Sequence, residues 1–312
     1  MDLTVSIVNT SNWPFVDKCL SSLYSSEILN IDMEVYVVDN CSSDGSVVKV
    51  KESYPNVINI INESNLGFAA NHNQVLKVAN GRYILVLNDD TEVGTTTLAK
   101  MVKFMDENKQ IGISICKVFL PDGNIQKVCG RFPTFYGEYL SMTLGQIRSK
   151  PLRYLKWKMM SDFSYEEEND VDWISGVFHL MRREVVQTIG YYDETFPIYY
   201  EDVEYCHRLQ SETKYSITYN PKVSILHYHG QTMVRKKTKN YNRFIFNVQG
   251  SIYYMTKWHG TFKGNIYKYM LLTTHTMLYV LSGIANTILF KKQLKIYSAH
   301  NKFKETVRSY YS

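Results

Sequence analysis

Two adjacent carboxylates, Asp89 and Asp90, follow directly on the apolar run Tyr83–Leu87, and their position says more than their type. Five consecutive apolar or aromatic residues suit a strand buried on both faces of a parallel sheet, so the turn begins at Asn88. The two acids then sit at the strand's carboxyl end. Ligands bind there in open α/β sheets, and neighbouring carboxylates repel unless a cation or hydrogen-bond donors neutralise them. A hard divalent ion with a diphosphate would do so. A polar turn after a core strand is the plainer alternative.

Other groups carry similar double readings. Asp39 ends the apolar run Val35–Val38 and either accepts a hydrogen bond from a base or ribose or caps its own turn. The loop from Asn62 to Asn71 holds Asn65 and Gly67 ahead of a helix start built from Gly and Ala. Such a start permits close backbone approach, and its free amides favour phosphate. The cluster Tyr199-Tyr200-Glu201-Asp202 opens a helix whose apolar face includes Val203, Cys206 and Leu209. The macrodipole alone explains acids in a first turn, although two aromatics immediately before them are less usual. His227 follows the strand-like Val223–Leu226 and is either a neutral imidazole ligand for a metal or a structural histidine. Trp173 is either a sugar platform or a buried core indole.

The elements that must position these groups alternate. Val5–Val8 reads as a first strand, and Asn12-Trp13-Pro14 as a helix start with Asn12 as N-cap. Ser42–Gly45 opens a second helix, Val57–Ile61 a third strand, and Asn80-Gly81 closes the next helix as its C-cap. Leu98, Met101, Val102 and Met105 mark a further helix, and Ile111–Val118 another strand. The pattern implies a doubly wound, mostly parallel sheet with acidic or amide-rich strand ends on one edge. Pro121–Asp170 reads as an excursion able to shape an acceptor site. Val177–Met181 and Arg183–Ile189 follow as strand and helix, stopping at Gly190.

Several chemistries are excluded. No Gly-x-Gly-x-x-Gly follows the first strand, no P-loop motif exists, and no nucleophile elbow supports a hydrolytic triad. The five cysteines show no Cys-x-x-Cys spacing, so neither a zinc site nor a disulfide framework is indicated and a reducing cytoplasm fits. The amino terminus runs straight into a strand-like segment, so no signal peptide is expected.

Charge divides the 312 residues into two bodies. Gln231–Ser312 carries 14 Lys and Arg against the single acid Glu305, which leaves residues 1–230 at net −8 within a total of +5. A basic tail suggests attachment to an anionic surface, membrane or nucleic acid. Within it, Tyr269–Phe290 has no Asp, Glu, Lys or Arg, and roughly 20 residues suffice to cross a bilayer. His275, Ser282 and Asn286 dilute its hydrophobicity, and Lys263, Lys268, Lys291, Lys292 and Lys295 lie on both sides. An in-plane helix or helical hairpin fits better than a crossing, and a core helix is the alternative.

Taken together, the chain resembles the family 2 glycosyltransferases, and within them the bacterial rhamnosyltransferase-like branch. The residues that carry the resemblance are Val5–Val8, Val37–Ser46, Asn65–Ala69, Leu87–Thr91, Trp173–Gly176, Gly190–Glu194, Tyr200–Glu204 and His227-x-x-Gly230-x-Thr232. They span roughly residues 4–232. The resemblance implies the GT-A nucleotide-diphospho-sugar transferase fold and inverting transfer from a nucleotide donor. By the same resemblance, Asp39 reads the nucleobase, Asp202 is the catalytic base, and Asp90 with His227 faces Mg²⁺ or Mn²⁺. Asn88-Asp89-Asp90 matches the family's Asp-x-Asp segment, with Asn88 in place of its first Asp. Asn12, Asn65, Gly67, Asn88, Asp89 and Trp173 join Asp39 as expected donor-binding residues.

The expectation is a GT-A catalytic domain over residues 1–232 and a basic, apolar, helical, membrane-associating extension over 233–312. Its donor is dTDP-rhamnose ahead of a UDP-hexose, and its acceptor is a lipid-linked glycan of a bacterial surface polysaccharide. The enzyme would sit peripherally on the cytoplasmic face of an anionic membrane, with no nucleic-acid partner. A sugar-1-phosphate nucleotidyltransferase would need a Gly-rich basic loop where Asn9–Asn12 stands. An inactive sugar-nucleotide-binding assembly subunit is opposed by Asp90, Asp202 and His227.

Overall fold

Apolar runs and amphipathic segments alternate as β1 (Leu3–Asn9), α1 (Trp13–Tyr24), β2 (Met33–Asp39), α2 (Ser46–Ser53), β3 (Ile58–Ile61), α3 (Phe68–Leu76) and β4 (Tyr83–Asn88). The structure is a computed structural model, and it describes all residues except 27–30, 144–152, 197, 229–239, 289–293 and 311–312. After β4 come β5 (Thr91–Val93), α4 (Thr97–Glu107), β6 (Ile111–Phe119), β7 (Cys129–Gly130), α5 (Phe135–Met142), α6 (Arg153–Lys158), β8 (Asn169–Asp170) and β9 (Trp173–Ile174). Then follow β10 (Phe178–Arg182), α7 (Arg183–Ile189), α8 (Glu201–Glu212), β11 (Ser216–His227), α9 (Asn240–His259), α10 (Thr261–Ile288) and α11 (Leu294–Ser309).

The chain divides into two compact units. The first comprises Met1–Phe132, Met159–Thr195 and Glu201–Lys236; the second comprises Pro133–Lys158, Phe196–Tyr200 and Lys237–Ser312. The division expected near residue 232 lies within 229–239, outside the described residues.

In the first unit one sheet runs β3-β2-β1-β4-β10-β6-β11-β5, with β8 also paired to β11. Pairs β1–β2, β1–β4, β2–β3 and β6–β11 are parallel, and β1, β2 and β4 at the centre are buried on both faces, as parallel strands usually are. Ile84, Leu85, Val86 and Leu87 are wholly buried. Each such side chain contributes about 1.5–3 kcal/mol relative to exposure, which fixes the strand in the sheet's centre. The chain steps outward from β1 to β2 and β3, then returns to place β4 on the other side of β1. The switch in direction lies between β1 and β4, with Val8 opposite Asn88 in register.

Two local expectations need correction. Helix α3 stops at Leu76 with Lys77 as its cap, so Asn80-Gly81 is no C-cap. Gly81 instead lets the chain graze β1: its N–H donates to Thr4 Oγ1, and a Cβ there would lie 2.5 Å from the Thr4 nitrogen. The second correction concerns Asn12. It holds the N-cap position of α1, and its carbonyl accepts from Phe15 and Val16, but its side chain makes no cap hydrogen bond. Strand β10 occupies the expected Val177–Met181 segment within one residue. It runs antiparallel between β4 and β6.

In the second unit α9, α10 and α11 pack on one another around Val248, Tyr254, Met255, Tyr267, Leu271 and Phe303. The middle of the Pro121–Asp170 excursion belongs here. Its Glu138 is wholly buried and accepts from Lys158 (2.8 Å), Tyr154 (3.0 Å) and the Tyr200 hydroxyl.

Candidate active site

The carboxyl ends of β1, β2 and β4 meet at the switch point, and their polar residues bond to one another before any ligand is considered. Asn12, one turn beyond β1, donates from Nδ2 to Asp89 Oδ2 (3.0 Å) across 77 residues of sequence. The helix-cap amide is thereby diverted to the acid beyond β4. Asn9, in register with Asp39, is buried and donates to Asp39 Oδ1 (3.1 Å) and Ser46 Oγ (2.7 Å). The other Asp39 oxygen accepts from the Ser42 N–H (2.9 Å). Asp39 thus caps its turn and faces the same edge, so the two readings of this residue are compatible. Asn65 is exposed and donates to the Asn40 carbonyl (3.3 Å), while Gly67 stands in extended conformation at the N-cap of α3.

Beyond β4, Asp90 is buried, and its Oδ1 lies 3.0 Å from Nε2 of His227 at the end of β11. The Tyr228 N–H donates to the Asp90 carbonyl (2.8 Å), which ties the two strand ends together. Nδ1 of His227 lies 2.6 Å from Oε1 of Gln126, and Asn88 Nδ2 lies 3.4 Å from Nε2. Sequence reasoning missed Gln126. Its signal was Asp122-Gly123: the turn there has Gly123 at φ 81° and returns the chain so that the Gln126 N–H donates to the Val118 carbonyl. The remainder of the closing motif, His229 to Thr232, lies outside the described residues.

Whether the residues fit a divalent ion follows from His227. Both ring nitrogens face oxygen acceptors. If Nδ1–H donates to Gln126, a neutral ring turns its Nε2 lone pair toward Asp90, and a cation shared by the two satisfies both. One carboxylate oxygen and one imidazole nitrogen suit Mg²⁺ or Mn²⁺, whose other positions phosphate oxygens and water commonly fill. Among the described residues no cluster of three or more His, Cys, Asp or Glu could hold a metal by itself. The donor set is therefore fit for an ion that arrives with a diphosphate.

Asp202, in the first turn of α8, accepts from the Gly176 N–H (3.2 Å) and the Val203 N–H (2.8 Å). The carbonyl of the next residue, Val177, accepts from the Asn88 N–H (3.2 Å). Asp202 and the acids after β4 are thus tied to one short strand end. A Cβ on Gly176 would lie 2.8 Å from the Phe68 ring, so no larger residue could offer its amide there without displacing that ring.

Glu201 was legible only as a helix-start acid. Burial first, then the charge of Asp202, holds its carboxyl well above the usual carboxylate range. Its Oε2 has no hydrogen-bond partner among the described residues.

Trp173 is buried. Its indole N–H donates to the Arg131 carbonyl (3.0 Å), and its ring presses on Gly130, where a Cβ would lie 2.4 Å away. Of the two readings this geometry is the core indole, serving the β7–β9 pairing rather than offering an open platform. On β10, burial pushes the His179 imidazole down to about 4; the neutral ring donates to the Ile174 carbonyl and accepts from the Tyr192 hydroxyl.

The family model described as Glycosyl transferase family 2 matches residues 4–190, which include the acids after β2 and β4 and the Gly176 amide. The chain belongs to this family. Among relatives of this family 2 glycosyltransferase is the N-acetylglucosaminyl-diphospho-decaprenol L-rhamnosyltransferase of Mycobacterium tuberculosis. It is 24% identical over 237 residues, covering 72% of this chain and 76% of that protein. Staphylococcus aureus TarS 1–349, solved in complex with UDP-GlcNAc, superposes with a TM-score of 0.54 at 17% identity. The match covers 98% of this chain and 82% of that one. The mannosyltransferase PcManGT of Pyrobaculum calidifontis, solved with GDP-Man and Mn²⁺, also gives 0.54, at 14% identity, with coverages of 98% and 84%. The fold of this glycosyltransferase is GT-A.

Proposed function

We propose that this glycosyltransferase moves a sugar, with inversion, from a nucleotide-diphosphate donor to a hydroxyl of a lipid-linked glycan. The observation that carries the reading is the link from Asp202 through Gly176-Val177 to Asn88, which joins a proton acceptor to the strand end bearing Asp89 and Asp90. Asp202 takes the acceptor hydroxyl's proton while the oxygen attacks the anomeric carbon. The anomeric carbon–oxygen bond to the diphosphate breaks as the new one forms, and the nucleoside diphosphate leaves. A divalent ion held by Asp90 and His227 would neutralise the departing diphosphate.

Donor recognition falls to Asn12, Asp39, Asn65, Gly67, Asn88 and Asp89, with Asp39 reading the base and the α3 start meeting phosphate. Rhamnose on dTDP is placed ahead of a UDP-hexose; the mycobacterial relative's name supports the sugar. That relative's name also supports a polyprenyl-linked acceptor, which would call for work at the inner face of a cell membrane. The experiment is a screen of nucleotide sugars with Mn²⁺ for thermal stabilisation, followed by transfer assays, because a ligand that binds only the folded state raises apparent stability. Stabilisation and turnover with dTDP-rhamnose are expected. Stabilisation without transfer to any acceptor would turn the reading toward a sugar-nucleotide-binding subunit.

A further inference from the structure

Helix α10 buries one side and bares the other. Tyr267, Leu271 and His275, four residues apart, are wholly buried within the second unit. His275 is fixed by the Met142 carbonyl (2.8 Å) and the Tyr310 hydroxyl (3.0 Å), so the polar group that dilutes the sequence window points inward. On the outer side stand Phe262, Ile266, Tyr269, Met277, Val280 and Ile284, each between 41% and 78% exposed. Their spacing returns to one stripe of the helix, about 33 Å long at 1.5 Å per residue. Scattered exposed apolar residues need no explanation, but a continuous stripe of this length does.

Charge selects what covers it. The second unit carries 17 Lys and Arg and only two acids, Glu138 and Glu305. Both acids are spent on internal ion pairs, with Lys158 and Arg308. Lys263 stands exposed beside Phe262, and α10 contains no acid. A second copy packed stripe to stripe would bring two strongly cationic bodies together, and nucleic acid offers nothing to six apolar side chains. A surface with anionic headgroups over an apolar interior answers both features. No helix among the described residues is long and apolar enough to cross a membrane.

We propose that the outer stripe of α10, from Phe262 to Ile284, lies in the interface of an anionic lipid bilayer. The inference deepens the reading of a lipid-linked acceptor and rests on it for its purpose. The test sediments the full chain with vesicles of phosphatidylcholine alone and of phosphatidylcholine with about one-third phosphatidylglycerol, where attraction grows with each basic residue near the surface. The unmodified chain is expected on the anionic vesicles. The variant combining Phe262→Gln, Ile266→Gln, Val280→Gln and Ile284→Gln should lose about tenfold or more in partition, since apolar burial drives insertion. Its melting temperature and donor binding in solution should stay unchanged. As a second readout, Tyr269→Trp should be quenched by brominated phosphatidylglycerol vesicles. Equal partition of variant and parent, indifference of the parent to anionic lipid, or a parent dimer that the variant dissociates would each overturn the proposal. Transfer to a soluble acceptor analogue separates the two readings: its loss with vesicle binding intact faults the reaction and spares the surface.

Discussion

Nε2 of His227 lies 3.0 Å from Oδ1 of Asp90, although 137 residues separate them, and Gln126 holds the other side of the imidazole at 2.6 Å. If this pair receives a divalent ion, activity disappears in excess EDTA and returns with Mn²⁺ or Mg²⁺. Asp90→Ala removes the hard ligand and should not be rescued by metal. Gln126→Leu frees the ring and should weaken metal affinity by about 10–100-fold, as loss of an orienting partner commonly does. Metal titration of the transfer rate measures all three. Full turnover of the unmodified chain in EDTA would refute the role.

Asp202→Asn keeps the size of the side chain and removes the proton acceptor. The transfer rate should fall about 10²–10⁴-fold, the usual contribution of a general base. Donor affinity by calorimetry should hardly move. Wild-type-like turnover would dismiss Asp202 as the base.

Glu201 supplies a pH signature. Its folded carboxyl is held above its unfolded value by burial and by Asp202, so above the ordinary glutamate range the unfolded chain releases a proton that the fold retains. Stability from this group is full below the unfolded value and is lost as pH rises toward the folded one. Glu201→Gln abolishes the titration, so the fall in melting temperature between pH 5 and pH 8 should shrink. Thermal denaturation of both proteins across that range decides it; parallel curves would contradict the assignment.

Tyr199 and Tyr200 adopt left-handed φ of 70° and 72° immediately before Glu201 and Asp202, a conformation that costs non-glycine residues energy. The Tyr200 hydroxyl donates to buried Glu138, and a Cβ on Gly250 would press to 2.8 Å from the Tyr200 ring. Glu138→Ala strands Lys158 in a buried setting and should destabilise the fold by about 3–5 kcal/mol. Urea unfolding measures this. A change within experimental error would mean that the cluster does not hold the turn.

Much of the site was written in local sequence. Tyr83–Leu87 suited a strand buried on both faces, and parallel strands deliver their carboxyl ends to one edge, so the strand pattern already put Asp39, Asp89 and Asp90 on one edge of the sheet. Partners were another matter. Asn12 looked like a helix cap, and its amide goes to Asp89, because side-chain hydrogen bonds are chosen by what lies within 3 Å in space. Gln126 reaches His227 only through a turn and a strand pairing that bring residues 101 apart together.

The tail makes the same division. Its sequence determined that an uncharged, apolar stretch begins at Tyr269 within a basic segment, and left open whether it forms one helix or a hairpin; the described part belongs to the single helix Thr261–Ile288. Apolar residues lie on nearly every side of α10, so no periodicity says which side is core. Packing against α9 and α11 decided it, burying Tyr267, Leu271 and His275 and leaving Phe262, Val280 and Ile284 outside. Burial is a property of neighbours, and the neighbours of a helix are set by the tertiary fold.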